Sequence, residues 1–328
     1  MKITYFFRHP KIGFSIQRVF QTVNKGVAQT QEIEEIFLPE QKSGILSIIK
    51  NGLYAKKRQG SINHITGDAH YLLYFLKKNN TIVTVHDIMY YSYLSGFKKK
   101  IWKVLYINSL KRAAKVVFIS EFAKEQVLNE INLKLDQYCV IHNPVSTDFQ
   151  YRQKEFCAEK PIILHINGNL ERKNLARTLK ALHDIPCHLR IVGKLSEHNK
   201  ALLNQSKIEY SNVFNLSNEE VIQEYENCDI INFPSLFEGF GMPIIEGQAV
   251  GRPVLTSKIQ PMISVAGNGA ILVDPKNVEA IRQGYLQIIN DHIFRENLIE
   301  KGTQNVKQFQ LSVITNLYLS EYKKLSLK

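Results

Sequence analysis

The stretch EGFGMPIIE, Glu238 to Glu246, sets two carboxylates eight positions apart around two glycines and a proline. An ionised carboxylate only accepts hydrogen bonds, and it can hold the vicinal hydroxyls of a sugar. Pro243 suits the first turn of a helix, where its missing N–H would be unpaired anyway. Gly239 and Gly241 let the backbone turn and approach a ligand. The amides at a helix start, together with the helix dipole, favour a phosphate. Glu246 then falls one turn into the helix and Glu238 in the loop before it. Carboxylates beside a phosphate-sized hollow imply a ligand with both diols and phosphates, a nucleotide sugar. A second group of charges occurs in HINGNLERKNLARTLKAL, residues 165–182. Gly168 offers a turn, Arg172 and Lys173 supply two cations suited to a diphosphate, and Asn174 can cap the helix that follows.

These side chains need elements to hold them. Short apolar segments alternate with segments of helical spacing, a pattern that predicts parallel sheets covered on both faces. Strands are expected at 2–7, 33–39, 62–66, 81–85, 115–120 and 138–141, then at 162–167, 188–193, 210–214, 229–234 and 252–257. SIQRVFQTVNKG and HYLLYFLKK have helical spacing, and residues 311–327 read as a final amphipathic helix. FQYRQKEFCAEKP, residues 149–161, is polar and ends in proline, as a linker would. The expected class is α/β, with two Rossmann-like domains in series at 1–155 and 156–310, facing across a cleft, and a closing helix at 311–328. In open sheets of this kind ligands bind beyond the carboxyl ends of the strands. Both charged motifs fall directly after expected strands.

Further candidates follow strands of the first half. His86 and Asp87 come after TIVTV, where the histidine could hydrogen-bond a sugar hydroxyl or relay a proton. His64, Asp68 and His70 form a polar cluster after INHIT, with helix capping by Asp68 as the structural alternative. Arg8, His9, Lys11 and Gly13 follow the first strand.

The chain has 328 residues, 44 % of them hydrophobic and 22 % charged, the mix of a soluble globular protein. No apolar run reaches the roughly 18–20 residues of a membrane span, and the start does not read as a signal peptide. The four cysteines are scattered without metal-type or disulfide-type spacing, which suits a reducing cytoplasm. The net charge of +12 is uneven: residues 51–115 hold 12 Lys and Arg against Asp68 and Asp87 alone. Such a patch is either a solvated face or a site for an anionic partner, such as nucleic acid, a phosphorylated substrate or a membrane surface. Segment 97–115 joins Lys98, Lys99, Lys100, Lys103, Lys111 and Arg112 to Trp102 and Tyr106.

FPSLFEGFGMPIIEGQAVGRPVLTS, residues 233–257, resembles the Glu-x7-Glu signature of retaining glycosyltransferases of family 4, often called group 1, which have the GT-B fold. GNLERKNLARTLKAL is similar to the family's phosphate loop, and AGNGAILVDPKNVEAI to its C-terminal segment. HITGDAHYL, TVHDI and VFISEFAKE add weaker likeness in the first half. One departure stands out: many members carry arginine after the glycine of the phosphate loop, where this chain has Asn169. The diphosphate then relies on Arg172 and Lys173.

The resemblance implies that Glu246 binds the donor's ribose and Glu238 the hydroxyls of its sugar. Gly239, Phe240, Gly241, Met242 and Gly168 would complete the donor site through backbone contacts. His86 would lie near the transferred sugar, and Asp87, Arg8, Gly13, His64 and Asp68 on the acceptor side. The closing helix would cross back to the first domain. The expected activity is sugar transfer from a nucleotide-sugar donor to an acceptor hydroxyl, retaining configuration, without metal or cofactor. Cell-surface polysaccharide or lipopolysaccharide assembly on a glycan or lipid-linked acceptor would place it in the cytoplasm, peripheral at the inner face of the plasma membrane. Two other classes use the same residues: a glycosidase with Glu238 and Glu246 as its acid and base, and a non-catalytic module binding nucleotide sugars or nucleic acid. No nucleic-acid-binding motif is present, so nucleic acid is not an expected partner.

Overall fold

The computed structural model describes residues 1–12, 14–42 and 44–327. Its contacts divide the chain into two units: Met1–Pro144 joined by the stretch from Leu311 onward, and Val145–Gln310. Among the described residues no helix is long and apolar enough to cross a membrane.

In the first unit, β1 (Lys2–Phe7), β2 (Glu32–Phe37), β3 (Ile62–Ile65), β4 (Thr81–Val85), β5 (Lys115–Phe118) and β6 (Tyr138–Val140) form one parallel sheet in the order β2-β1-β3-β4-β5-β6. β4 is buried at every residue, as expected of a β-branched run covered on both faces. β2 reads EIEEIF and lies at the edge, where three glutamates oppose unwanted pairing. The chain goes from β1 to β2 on one side and returns to β3 on the other. The strand order therefore reverses between β1 and β3.

The second unit repeats the plan. β7 (Ile162–Ile166), β8 (His188–Val192), β9 (Glu209–Val213), β10 (Ile230–Phe233), β11 (Val254–Ser257) and β12 (Ile271–Val273) run parallel in the order β12-β11-β10-β7-β8-β9. Here the reversal lies between β7 and β10. The sequence pattern does not reveal β12, because it is a three-residue edge strand between turn residues. HYLLYFLKK is not an α-helix either: it opens as a short 3-10 turn, His70–Tyr74, and a second such turn, Lys78–Asn80, starts only at its last residue.

The polar segment 145–155 packs with the second unit rather than linking freely, so the division falls at 144/145. Two buried charges explain why. Arg252 donates to the carbonyl of Arg152 at 2.7 Å, and Asp229 takes Lys154 as its partner. A buried charge without a partner is costly, and this segment supplies the partners.

The helix Leu311–Ser326 belongs to the first unit, against the helix Phe14–Val27. A Cβ at Gly26 would lie 2.2 Å from Thr315 Oγ1, so only glycine permits this approach. A buried polar chain runs beneath the contact. The Tyr322 hydroxyl meets Tyr5 at 3.0 Å and His64 Nδ1 at 2.6 Å, and His64 Nε2 meets Thr84 at 2.9 Å. This corrects the expectation for His64: it has no exposed surface, both ring nitrogens are engaged, and it anchors the closing helix.

Tyr322→Phe is expected to leave His64 and Tyr5 short of a partner and to cost about 1–3 kcal/mol. Urea unfolding followed by the single tryptophan, Trp102 of this unit, reads the loss as a lower midpoint. Burial pushes His64 down to about 3, whereas an unfolded histidine titrates near ~6.5. The unfolded chain therefore binds the extra proton. This contribution is complete above about pH 6.5 and is lost as pH falls toward 3, so the midpoint should drop between pH 7 and 5.

Candidate functional site

The loops after β7 and β10 lie side by side at the strand reversal of the second unit. After β7, Asn167 takes the left-handed conformation, φ 63°. Gly193, φ 118°, backs it so closely that a Cβ there would lie 3.2 Å from the Asn167 Cα. Asn167 thus makes the turn expected of Gly168. Gly168 instead lies against Ile191 and Leu195, at 3.0 and 3.1 Å from an added Cβ, and its carbonyl accepts from Asn199 at 2.6 Å.

A 3-10 turn, Glu171–Lys173, carries the two cations. Asn174 follows at φ 67°, in the N-cap position of the helix Leu175–Ala181, yet its side chain does not cap that helix. It donates instead to the carbonyls of Pro234 at 3.0 Å and Pro275 at 2.6 Å, while Arg177 donates to its side-chain oxygen. Buried carbonyls require such donors. The amide of Leu236 also donates to the Arg172 carbonyl at 2.7 Å. The cation-bearing turn is therefore fastened to the loop that carries Glu238.

Arg172 Nη1 and Lys173 Nζ converge on the same oxygen, Oε1 of Glu238, at 2.5 and 2.7 Å. The Lys173 side chain is 8 % exposed and the Arg172 side chain 31 %. Burial pushes the Lys173 ammonium below its ordinary value; the Glu238 charge opposes this and Arg172 adds to it. The ammonium also lies 4.4 Å above the Phe233 ring. Chemically, a multiply charged anion can take over both contacts from the single carboxylate.

Beyond Glu238, half-buried Gly239 leads to Phe240, whose buried ring packs edge-on against Phe309 at 5.8 Å. Phe240 can therefore offer a ligand only its backbone. Gly241, φ 115°, caps the helix Met242–Ala249, with Pro243 in the first turn as expected. Half-buried Glu246 accepts from the Tyr225 hydroxyl at 2.5 Å. Tyr225 was not among the sequence candidates, since a lone tyrosine near a helix end carries no pattern of its own.

The first unit has its own polar group at its own strand reversal, after β1 and β3. Arg8 pairs with Asp68 at 2.8 Å, so Asp68 serves as an ion-pair partner rather than a helix cap. His86 lies after β4 and is 6 % exposed. Its Nε2–H donates to the Thr66 carbonyl at 2.8 Å, which leaves Nδ1 as the acceptor nitrogen. Burial pushes His86 down to about 4, against the Asp68 charge, so the ring is neutral near pH 7. His70 is also buried and donates Nδ1–H to the Tyr106 carbonyl at 2.7 Å. Asp87 accepts from the Met89 amide at 2.9 Å at the start of a short helix. Gly13 lies outside the described residues. Among the described residues, no three His, Cys, Asp or Glu side chains group as a metal ion would require.

The pattern of the family described as "Glycosyl transferases group 1" matches residues 147–305, and that of "Glycosyltransferase Family 4" matches residues 53–149. An O-antigen chain mannosyltransferase B of Escherichia coli is 25 % identical over 272 residues, 74 % of this chain and 70 % of that protein. An N,N'-diacetylbacillosaminyl-diphospho-undecaprenol alpha-1,3-N-acetylgalactosaminyltransferase of Campylobacter jejuni is 22 % identical, over 69 % of this chain and 66 % of that enzyme. The chain spans from 55 % to 70 % of the length of the first curated relatives it matches. Among solved structures, Anabaena HepE in complex with UDP and glucose superposes with a TM-score of 0.77 at 13 % identity, covering 99 % of this chain and 100 % of that one.

The shared use of Glu238 Oε1 has a measurable consequence. Replacing Glu238 by Gln removes the charge that competes for both cations. Calorimetry is expected to show Glu238→Gln binding inorganic pyrophosphate more tightly than the wild type, by a factor on the order of ten. Equal or weaker binding would mean that the two cations do not form the anion site.

Proposed function

The chain belongs to the glycosyltransferases of group 1, with the two Rossmann-like domains of the GT-B fold, and on that premise we propose that it moves a sugar from a nucleotide-sugar donor to an acceptor hydroxyl with retention of configuration. The observation that carries this reading is the grouping of Arg172, Lys173, Glu238 and the helix start at Gly241 on adjoining loops of the second unit. Such a group offers cations and backbone amides to a diphosphate and carboxylates to hydroxyls.

In this reading Arg172 and Lys173 take the diphosphate and stabilise its charge as it leaves. Glu238, freed from them, turns to the hydroxyls of the transferred sugar, and Glu246 accepts from the ribose. The step suits front-face displacement: the bond from the anomeric carbon to the diphosphate oxygen breaks, and the acceptor oxygen bonds to that carbon on the same face. The acceptor proton passes to the departing diphosphate. The protein contributes position and charge stabilisation, with no metal needed. His86, neutral and with Nδ1 as its acceptor nitrogen, suits a hydrogen bond from a sugar hydroxyl. The names of the relatives speak of O-antigen chains and of an undecaprenol-diphosphate-linked acceptor. They favour cell-surface polysaccharide assembly on a lipid-linked acceptor.

A lipid-linked acceptor asks for contact with a membrane, and the first unit has a surface suited to it. Trp102 and Tyr106 do not form that surface, because their rings stack at 4.8 Å and Tyr106 is buried. Lys103 is committed to Glu130 at 2.7 Å, and Lys99 lies over the Tyr91 ring. Tyr93, Phe97 and Val104 are exposed beside exposed Lys98 and Lys100. Exposed apolar groups with cations among them fit an anionic interface, where each cation contributes about 1 kcal/mol.

Glu246→Ala is expected to weaken nucleotide-sugar binding by roughly 1.5–3 kcal/mol, measured by calorimetry. Arg172→Ala and Lys173→Ala should lower turnover more than they lower nucleoside binding. Activity that disappears with EDTA would contradict the metal-free reading. For the membrane surface, the folded protein is expected to sediment with anionic liposomes at low salt. Lys98→Gln with Lys100→Gln should weaken this while leaving donor binding intact. A wild-type protein that ignores such liposomes would remove the interface from the proposal.

A further inference from the structure

The carboxylate assigned above to the ribose is itself held from behind. Tyr225 lies in the last turn of the helix Asn218–Asn227, only 1 % exposed, with its ring edge-on to Phe149 at 5.2 Å. Its hydroxyl donates to Glu246 Oε2 at 2.5 Å. The residues on either side fix where that hydroxyl can be. Glu224 receives Arg190 in a two-pronged contact at 2.7 and 2.6 Å. The carbonyl of Glu226 accepts from Arg252 Nη2 at 2.6 Å.

Arg252 makes this more than a local contact. It is 4 % exposed and lies three residues beyond the last residue of the helix that carries Glu246. Its Nη1 donates to the carbonyls of Val250 at 2.9 Å and Arg152 at 2.7 Å, and its own amide donates to the Gly247 carbonyl at 2.9 Å. One buried guanidinium thus ties together the carboxyl ends of two helices, one bearing Tyr225 and the other Glu246. A guanidinium of fixed planar shape holds such a geometry well.

From this we propose that Tyr225 is a positioning residue for ribose recognition: its hydroxyl fixes the carboxylate of Glu246 in the rotamer that accepts the ribose diol. The inference rests on the reading of Glu246 as the ribose acceptor. A glutamate side chain has several staggered rotamers, and selecting one of them before the ligand arrives lowers the ordering cost of binding. An ionised carboxylate has about four lone-pair sites, so the phenol takes one and the diol can use others. A buried phenol needs an acceptor in any case, and a purely structural role is the alternative that the test must separate.

The test is calorimetry of UDP and GDP, each beside its 2′-deoxy and 3′-deoxy forms, on the wild type, Tyr225→Phe and Glu246→Ala. The wild type should prefer a ribonucleotide over its deoxy forms by about tenfold or more, and Glu246→Ala should abolish most of that preference. Tyr225→Phe, folded by circular dichroism, should reduce the preference to about twofold while pyrophosphate binding stays unchanged. In sugar transfer the donor KM should rise with kcat nearly constant, as expected when binding is lost equally from ground and transition states. A merely structural tyrosine would weaken all of the nucleotides alike and leave the ratio untouched. If Tyr225→Phe keeps the full preference while Glu246→Ala loses it, the positioning role is overturned and the ribose reading stands. If Glu246→Ala also keeps it, or the wild type binds neither nucleotide, the ribose reading fails and this proposal fails with it.

Discussion

The placement of β7 beside β10 is the constraint on which the candidate site depends. The two strands are adjacent in space yet far apart in sequence, because the chain builds one half of the sheet outward and then returns to build the other. Crossovers of one hand leave a gap beyond the carboxyl ends at the point of reversal. The loop after β7 brings two cations to that gap, and the loop after β10 brings Glu238 and a helix start. Hydrogen bonds from Asn174 and Leu236 then fasten the two loops to each other, but only once the strands have set them side by side. The strands do this through their register, Ile230 against Ile163, Ile231 against Leu164 and Asn232 against His165.

Given that placement, the local chemistry manages charge at low exposure. Lys173 is nearly buried and would be unstable as an isolated cation. It is offset by Glu238, by the Phe233 ring and by a turn that Asn174 fastens to its surroundings. Arg252 and Asp229 follow the same logic farther from the gap, drawing the 145–155 segment onto the second unit as their counterpart. The same buried charges that make the loops costly also limit them to one arrangement. Charges limited to one arrangement are what the positioning of a charged ligand requires.

Much of this was legible in the sequence, and the limits of that legibility are physical. Strands such as TIVTV announce themselves because burial on both faces demands continuous apolar residues. The motif from Glu238 to Glu246 was legible because a proline and a glycine at a helix start have few other uses. β12 escaped, since its three residues sit in GNGAILVDP, between glycines on one side and Asp-Pro on the other. Asn167 took the turn expected of Gly168 because asparagine also tolerates left-handed backbone, so the glycine alone did not reveal which residue turns. His64 was misplaced for a related reason. A histidine after a strand can face a ligand or the core, and what decided between them was Tyr322, distant in sequence. Trp102 likewise turned inward because Tyr91 and Tyr106, on flanking turns, offered it stacking partners.

The two polar groups differ in how they treat their ionisable members. In the second unit, carboxylate and cations are brought into direct contact, so a multiply charged ligand can exchange with an internal partner at little net change in charge. In the first unit, His86 and His70 are kept neutral by burial, each fixed by one ring N–H on a backbone carbonyl. A neutral imidazole adds no charge that would attract phosphate or repel a cation, and it presents a directional acceptor. A diphosphate needs charge, whereas a neutral hydroxyl needs direction. The two units thus treat their ionisable side chains in opposite ways, on the same strand plan and at the same kind of reversal.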